Sequence, residues 1–281
     1  MRYGLVVLLL LVFAVPAQAD IDLDAEVARL VGPDATVRSA AYTTLMRAND
    51  PAVIAKLLPV LGDADDIAQY YGVLLIQRHP KQGKPALKKL CASRSPHMRV
   101  VAGAALWRMG DRKAGPVIVK ALAADGVEDT RRGTMLMRIY NVTDPGVMEA
   151  VRGFLTTDGA PTVVQAAVYT VYVGRDRSAV TALQGLDEHA DSGVRAMAGA
   201  ARLVLGDPTG EGTLAGAFED GGVSTSALSR VRSILDQARP VPPKVLAAIH
   251  GALAEETSPY ALRMLVELLG LHGYAKATKD I

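Results

Sequence analysis

The 281-residue chain has one cysteine, Cys91, and few aromatic residues (5%), and past its first residues it has no apolar run long enough to span a bilayer. A single cysteine excludes an intramolecular disulfide framework. The shortage of Tyr, Phe and Trp argues against sheets, which rely on aromatic and β-branched pairs. Motifs of catalysis are missing as well: there is no His-Glu-x-x-His, no paired Cys and no Gly-x-x-x-x-Gly-Lys-Ser/Thr. Gly210-Glu211-Gly212 is too short for a nucleotide loop and reads as a turn. The histidines His79, His97, His189, His250 and His272 are scattered, and His79 and His97 read as surface loop residues. No catalytic residue, cofactor or metal is implied, and the chain is expected not to be an enzyme.

What is present is 50% hydrophobic residue content dominated by Ala, Val, Leu and Gly, a composition suited to closely stacked helices. Arg2, the apolar run Leu5 to Val15 and Pro16-Ala17-Gln18-Ala19 read as a signal peptide over residues 1–19, cleaved after Ala19. The remainder, 20–281, is expected to be exported, either periplasmic or secreted, with no transmembrane segment after cleavage. Cys91 follows Leu87 and Leu90 on an apolar helix face, where a thiol behaves as a small hydrophobe.

The stretch from Met98 to Asp111 sets the rhythm of the chain. Its Arg99-to-Asp111 interval of twelve residues recurs as Arg38 to Asp50, Arg132 to Asp144 and Arg195 to Asp207. Equivalent positions fall at Arg38, Ala68, Arg99, Arg132, Val164, Arg195, Leu228 and about Tyr260, separated by 30 to 33 residues. Seven residues beyond them lie Leu45, Leu75, Leu106, Ile139, Val171, Arg202, Leu235 and Glu267. Six of these are apolar, and Leu203 or Leu268 takes the role at the two exceptions. Gly110-Asp111 ends one helix and caps the next, because an Asp side chain accepts hydrogen bonds from the free amides of a first turn. Two amphipathic helices per unit cannot bury their apolar faces alone, so neighbouring units must stack.

Val37-Arg38-Ser-Ala-Ala-Tyr-Thr-Thr-Leu45, Met98-Arg99 through Leu106, and Val194-Arg195 through Asp207 resemble the short HEAT repeats called HEAT-like or phycobilisome-lyase-type repeats. The resemblance covers about residues 22–274. It implies an all-α, right-handed α-solenoid of about 7–8 helical hairpins, with first helices on the convex side and second helices lining the concave side. It also raises a bilin or other tetrapyrrole lyase or chaperone as a competing reading. The His-Glu pairs by which metal-dependent hydroxylases on such scaffolds bind iron are absent.

Asp34, Glu128 and Asp191 lie four residues before Arg38, Arg132 and Arg195, a spacing that predicts ion pairs one helical turn long, able also to bridge neighbouring units. Charge is distributed unevenly. Residues 78–120 carry eleven basic residues and a single acid, Asp111, for a net +10, whereas the rest of the chain beyond residue 19 carries −9. Lys81, Lys84 and Lys88 share one face of a second helix, and Lys113 and Lys120 share a face of the next. A basic strip on a groove wall attracts anions. The expectation is an exported scaffold that binds a protein or other anionic macromolecule through Lys84, Lys88, Arg112, Lys113 and Lys120 on the concave face. Nucleic acid ranks below protein as the partner, since export removes most such substrates.

Overall fold

The computed structural model describes residues 21–238 and 240–271; the segment read as a signal peptide lies outside them. In chain order the helices are α1 (Leu23–Val31), α2 (Ala35–Ala48), α3 (Val53–Leu57), α4 (Asp66–Gln77), α5 (Pro80–Leu90), α6 (Pro96–Arg108), α7 (Gly115–Leu122), α8 (Asp129–Arg138), α9 (Pro145–Arg152), α10 (Pro161–Val173), α11 (Val180–Gln184), α12 (Ser192–Leu205), α13 (Gly210–Glu219), α14 (Thr225–Leu235), α15 (Pro243–Glu255) and α16 (Pro259–Leu271). Short 3-10 turns at Arg112–Ala114 and Arg177–Ala179 lead into α7 and α11. No strand occurs among the described residues.

The even-numbered helices pack on one another in sequence from α2 to α16, while odd-numbered helices pack beside them as a second layer, α1 on α3 on α5, α7 on α9 and α13 on α15. The protein is therefore a HEAT-like helical solenoid. Six of the expected register positions are the fourth residue after the helix cap: the amides of Arg38, Arg99, Arg132, Val164, Arg195 and Leu228 each bond the cap carbonyl. In α4 the equivalent residue is Gln69 and in α16 it is Leu262, so Ala68 and Tyr260 miss the register by one and two places. Caps follow the expected chemistry. Asp34, Asp65 and Asp191 accept from first-turn amides, and Gly110, at φ 84°, turns the chain so that Asp111 accepts from the Lys113 amide.

Leu45, Leu75, Leu106, Ile139, Val171 and Leu235 are buried, as is Leu268. Each contributes about 1.5–3 kcal/mol by leaving water. The exception is Arg202, buried itself while Leu203 stays half-buried. Its guanidinium is paid for by Asp207 at 2.8 Å, Asp187 at 2.5 Å and the Thr213 hydroxyl at 3.1 Å, which together fasten the turn between α12 and α13. Those two helices approach backbone to backbone: a Cβ on Gly199 would lie 2.7 Å from the Leu214 nitrogen and 2.8 Å from the Gly210 oxygen.

The direction of curvature corrects the expectation. First helices two units apart touch across the one between them: Arg131 of α8 reaches Asp66 of α4 at 2.6 Å, and Tyr172 of α10 donates to the Ser233 carbonyl of α14 at 3.1 Å. Adjacent helix axes are about 8–10 Å apart, so two side chains bridge a double step only where the row bends toward that side. The first helices, not the second, line the concave side. Small residues in the spanned helices, such as Ala102 and Ala105 in α6 and Ala196 and Ala200 in α12, let those helices sink between their neighbours.

Candidate functional site

The repeat-position side chains are tied to their own loops. Arg38 donates to the carbonyls of Gly32 and Pro33, Gln69 to those of Gly62 and Ala64, Arg132 to those of Leu122, Ala124 and Val127, and Arg195 to those of His189 and Ala190. The expected pairs with Asp34, Glu128 and Asp191 do not form. Asp34 and Asp191 are occupied as caps, and the arginines that reach a carboxylate find it one unit on: Arg38 with Asp65 at 2.5 Å and Arg195 with Asp220 at 2.8 Å. These arginines lock each loop to the next unit.

Arg99 departs from this role. Among the described residues no loop carbonyl engages it and its buried Nε has no partner, and it lines a recess of about 400 Å³ with Lys120, Cys91, Ala92, Pro116 and Val117. Cys91 is half-buried against the core, and burial, with Asp111 adding to it, pushes its thiol up to about 11, so it stays protonated at neutral pH.

The five residues singled out from the charge pattern lie on the outer layer, on α5 and on the segment from Arg112 through α7, rather than on the concave wall. Lys88 pairs with Asp111 at 3.2 Å, and Lys84 also contributes to the positive field that, behind the Lys88 hydrogen bond, holds the Asp111 carboxyl below the usual range. Exposed Lys113 and Arg112 follow Asp111 directly, and the Arg112 guanidinium sits 4.1 Å over the Trp107 ring. Lys84, Lys88, Arg112 and Lys113 thus form one patch. Lys120 lies two turns further along, at the recess with Arg99.

The concave side holds a second polar group that charge density alone did not reveal. His97, expected in a surface loop, is the second residue of α6 and fully buried. Its Nδ1 lies 2.9 Å from Gln69 Oε1 and 3.5 Å from Asp66 Oδ1, and its Nε2 has no hydrogen-bond partner among the described residues. Burial lowers its pKa to about 4, opposed by Asp66 and reinforced by Arg138 and Arg131. Arg138 lies 3.7 Å over the Tyr70 ring. Beyond it, α8, α10 and α14 enclose a recess of about 380 Å³ that includes Thr130, Arg138, Thr162, Gln165 and Arg230. Arg131 and Arg138 are seven apart on α8, the same spacing that marked Lys113 and Lys120, but they lie in a segment where acids balance them.

Among the described residues no group of three His, Cys, Asp or Glu side chains converges as a metal site, and no helix is long and apolar enough to cross a membrane.

No family model matches the chain, and no curated protein matches it in sequence. Among solved structures, human deoxyhypusine hydroxylase in complex with glycerol is similar over 90% of this chain and 96% of that one, at 18% identity and a TM-score of 0.35. That finding corrects the expectation that the chain is not an enzyme, since the matched protein is named as a hydroxylase. At this identity and TM-score no residue role passes from one to the other.

Proposed function

We propose that the protein is a binding scaffold whose outer basic surface, over α5 and α7, engages an acidic segment of a partner macromolecule. The observation that carries this reading is the imbalance of one patch: Lys84, Lys88, Arg112 and Lys113 share a single acid, Asp111, within residues 78–120. Lys120 and the uncommitted Arg99 extend the positive surface along α7. Exposed like charges on adjacent helices repel one another, and a multivalent anion that spans them relieves the repulsion while releasing counterions.

On this reading the solenoid supplies rigidity and spacing, and the lysine faces supply attraction without fixed geometry, which suits a flexible acidic polypeptide. Removal of residues 1–19 and export of the remainder belong to the same proposal, resting on the apolar run and the Ala17-x-Ala19 pattern. The test is binding of fluorescein-labelled poly-L-glutamate followed by anisotropy. Reversal of Lys84, Lys88 and Lys113 to Glu should weaken binding by about tenfold or more while the helical circular dichroism is kept. Equal binding by the reversed variant refutes the reading.

A further inference from the structure

On the concave side, Arg138 and Arg230 line one recess of about 380 Å³, contributed by first helices that are one and two units apart: α8, α10 and α14. No carboxylate lines it, although Thr130, Thr162, Ser226 and Gln165 do. Neither arginine has an ion-pair partner among the described residues. Arg138 stacks on Tyr70 and leaves its Nε buried and unbonded, while Arg230 makes one long hydrogen bond, 3.4 Å, to Gln165 Oε1. Gln165 is held in turn by donating to Asp191 at 3.2 Å, so its amide orientation is set from behind.

Two half-buried arginines in the wall of one cavity that no carboxylate lines are costly, because burial removes water that no acid replaces. Burial pushes the Arg230 pKa down, the direction expected of a cation short of a counter-charge. Arg108 is also shifted down, by burial first and with Arg138 adding to it, so it brings a further positive charge near Arg138. Several half-buried or buried arginines elsewhere in the solenoid are neutralised, Arg38 by Asp65, Arg152 by Asp176, Arg202 by Asp187 and Asp207, and Arg232 by Glu267, whereas Arg99, Arg108 and Arg132, like Arg138 and Arg230, have no acid partner among the described residues. Two such arginines, Arg138 and Arg230, line this recess together.

We propose that this recess is a binding site for a phosphate group carried by a small molecule. Two planar forks present more N–H donors than the roughly four acceptor sites of one carboxylate can take. A phosphate monoester, with a charge of about −1.5 to −2 at neutral pH and three terminal oxygens, matches two guanidiniums and leaves an oxygen for a hydroxyl such as Thr130 or Thr162. The volume is that of a small-molecule pocket. The site is separate from the outer lysine patch, and neither depends on the other.

The experiment is a thermal-shift titration of the purified protein with inorganic phosphate, phosphoethanolamine and succinate, at constant ionic strength, repeated for Arg138→Gln, Arg230→Gln and the outer-face K84E/K88E/K113E variant. The expected result is a saturable rise in melting temperature with both phosphate species and none with succinate. Tighter response to phosphoethanolamine identifies an ester as the ligand, and equal response identifies the free ion. Each Arg→Gln change should raise the apparent Kd about tenfold, while the outer-face variant responds as wild type. If either glutamine variant unfolds, Arg138→Lys and Arg230→Lys, which keep the charge and lose the fork, should show a weaker response than wild type. No response to phosphate, a response equal to wild type in the substituted proteins, or an equal response to succinate overturns the proposal.

Discussion

Arg131 and Asp66, sixty-five residues apart in sequence, meet at 2.6 Å across the concave side, over the top of α6. The contact joins first helices two units apart and marks the inside of the bend. The pair is partly exposed, so its own contribution is about 0–1 kcal/mol. A double-mutant cycle with Asp66→Asn and Arg131→Gln should give a favourable coupling energy above zero and no larger than about 1 kcal/mol, measured by urea denaturation. Strict additivity would mean that the two helices are not in contact in solution, and that the bend is shallower than described.

His97 makes the acid limb of stability testable. Its folded pKa, about 4, lies below the ordinary histidine value because the ring is buried. The unfolded chain therefore takes up a proton at higher pH than the folded one. The contribution is fully present above about pH 6.5 and is lost as the pH falls toward 4. His97→Gln, which keeps a neutral polar group beside Gln69, should flatten the fall in melting temperature between those values. An unchanged slope would show that His97 is already charged or exposed in the native state.

Two glycines should respond in opposite directions. Gly199→Ala places a methyl within 3 Å of backbone atoms of α13 and should cost about 1–3 kcal/mol by forcing α12 and α13 apart. Gly216, within α13, faces open space, and Gly216→Ala should stabilise by about 0.4–1 kcal/mol through the lower entropy of the unfolded chain. Urea midpoints of the two variants, on either side of wild type, check both.

Residues 1–19 offer a test independent of the fold. Expressed in a bacterium with an intact secretion pathway, the protein should be recovered with Asp20 as its first residue, read by intact mass. Recovery of the uncleaved chain from the cytoplasm would contradict export.

The repeat was legible because its signal is local. A cap, a side chain four residues later and an apolar residue seven beyond that are set by one helix, and Arg38, Arg99, Arg132 and Arg195 stand where that spacing puts them. Gln69 escaped notice because it performs the loop-bonding job of an arginine without the charge. The bend of the array was not legible. Periodicity shows which face of a helix is buried, but small differences in spacing between layers decide which layer is inside, and these depend on how deeply α6 and α12 sink. The phosphate recess was hidden for the same reason: Arg138 and Arg230, ninety-two residues apart, are brought together only by that curvature. Arg202 shows the converse, a charged residue at a core register position that is buried because Asp187 and Asp207 come with it.

The central claim is that the lysine faces of α5 and α7 act together as an anion-binding surface. Its most direct measurement is the poly-L-glutamate isotherm taken at a series of salt concentrations for wild type and for the variant with Lys84, Lys88 and Lys113 changed to Glu. Affinity for wild type should fall steeply as salt rises, as counterion release requires, and the variant should bind weakly with little salt dependence. Wild-type affinity that is indifferent to salt, or a variant isotherm that overlays it, would contradict the account.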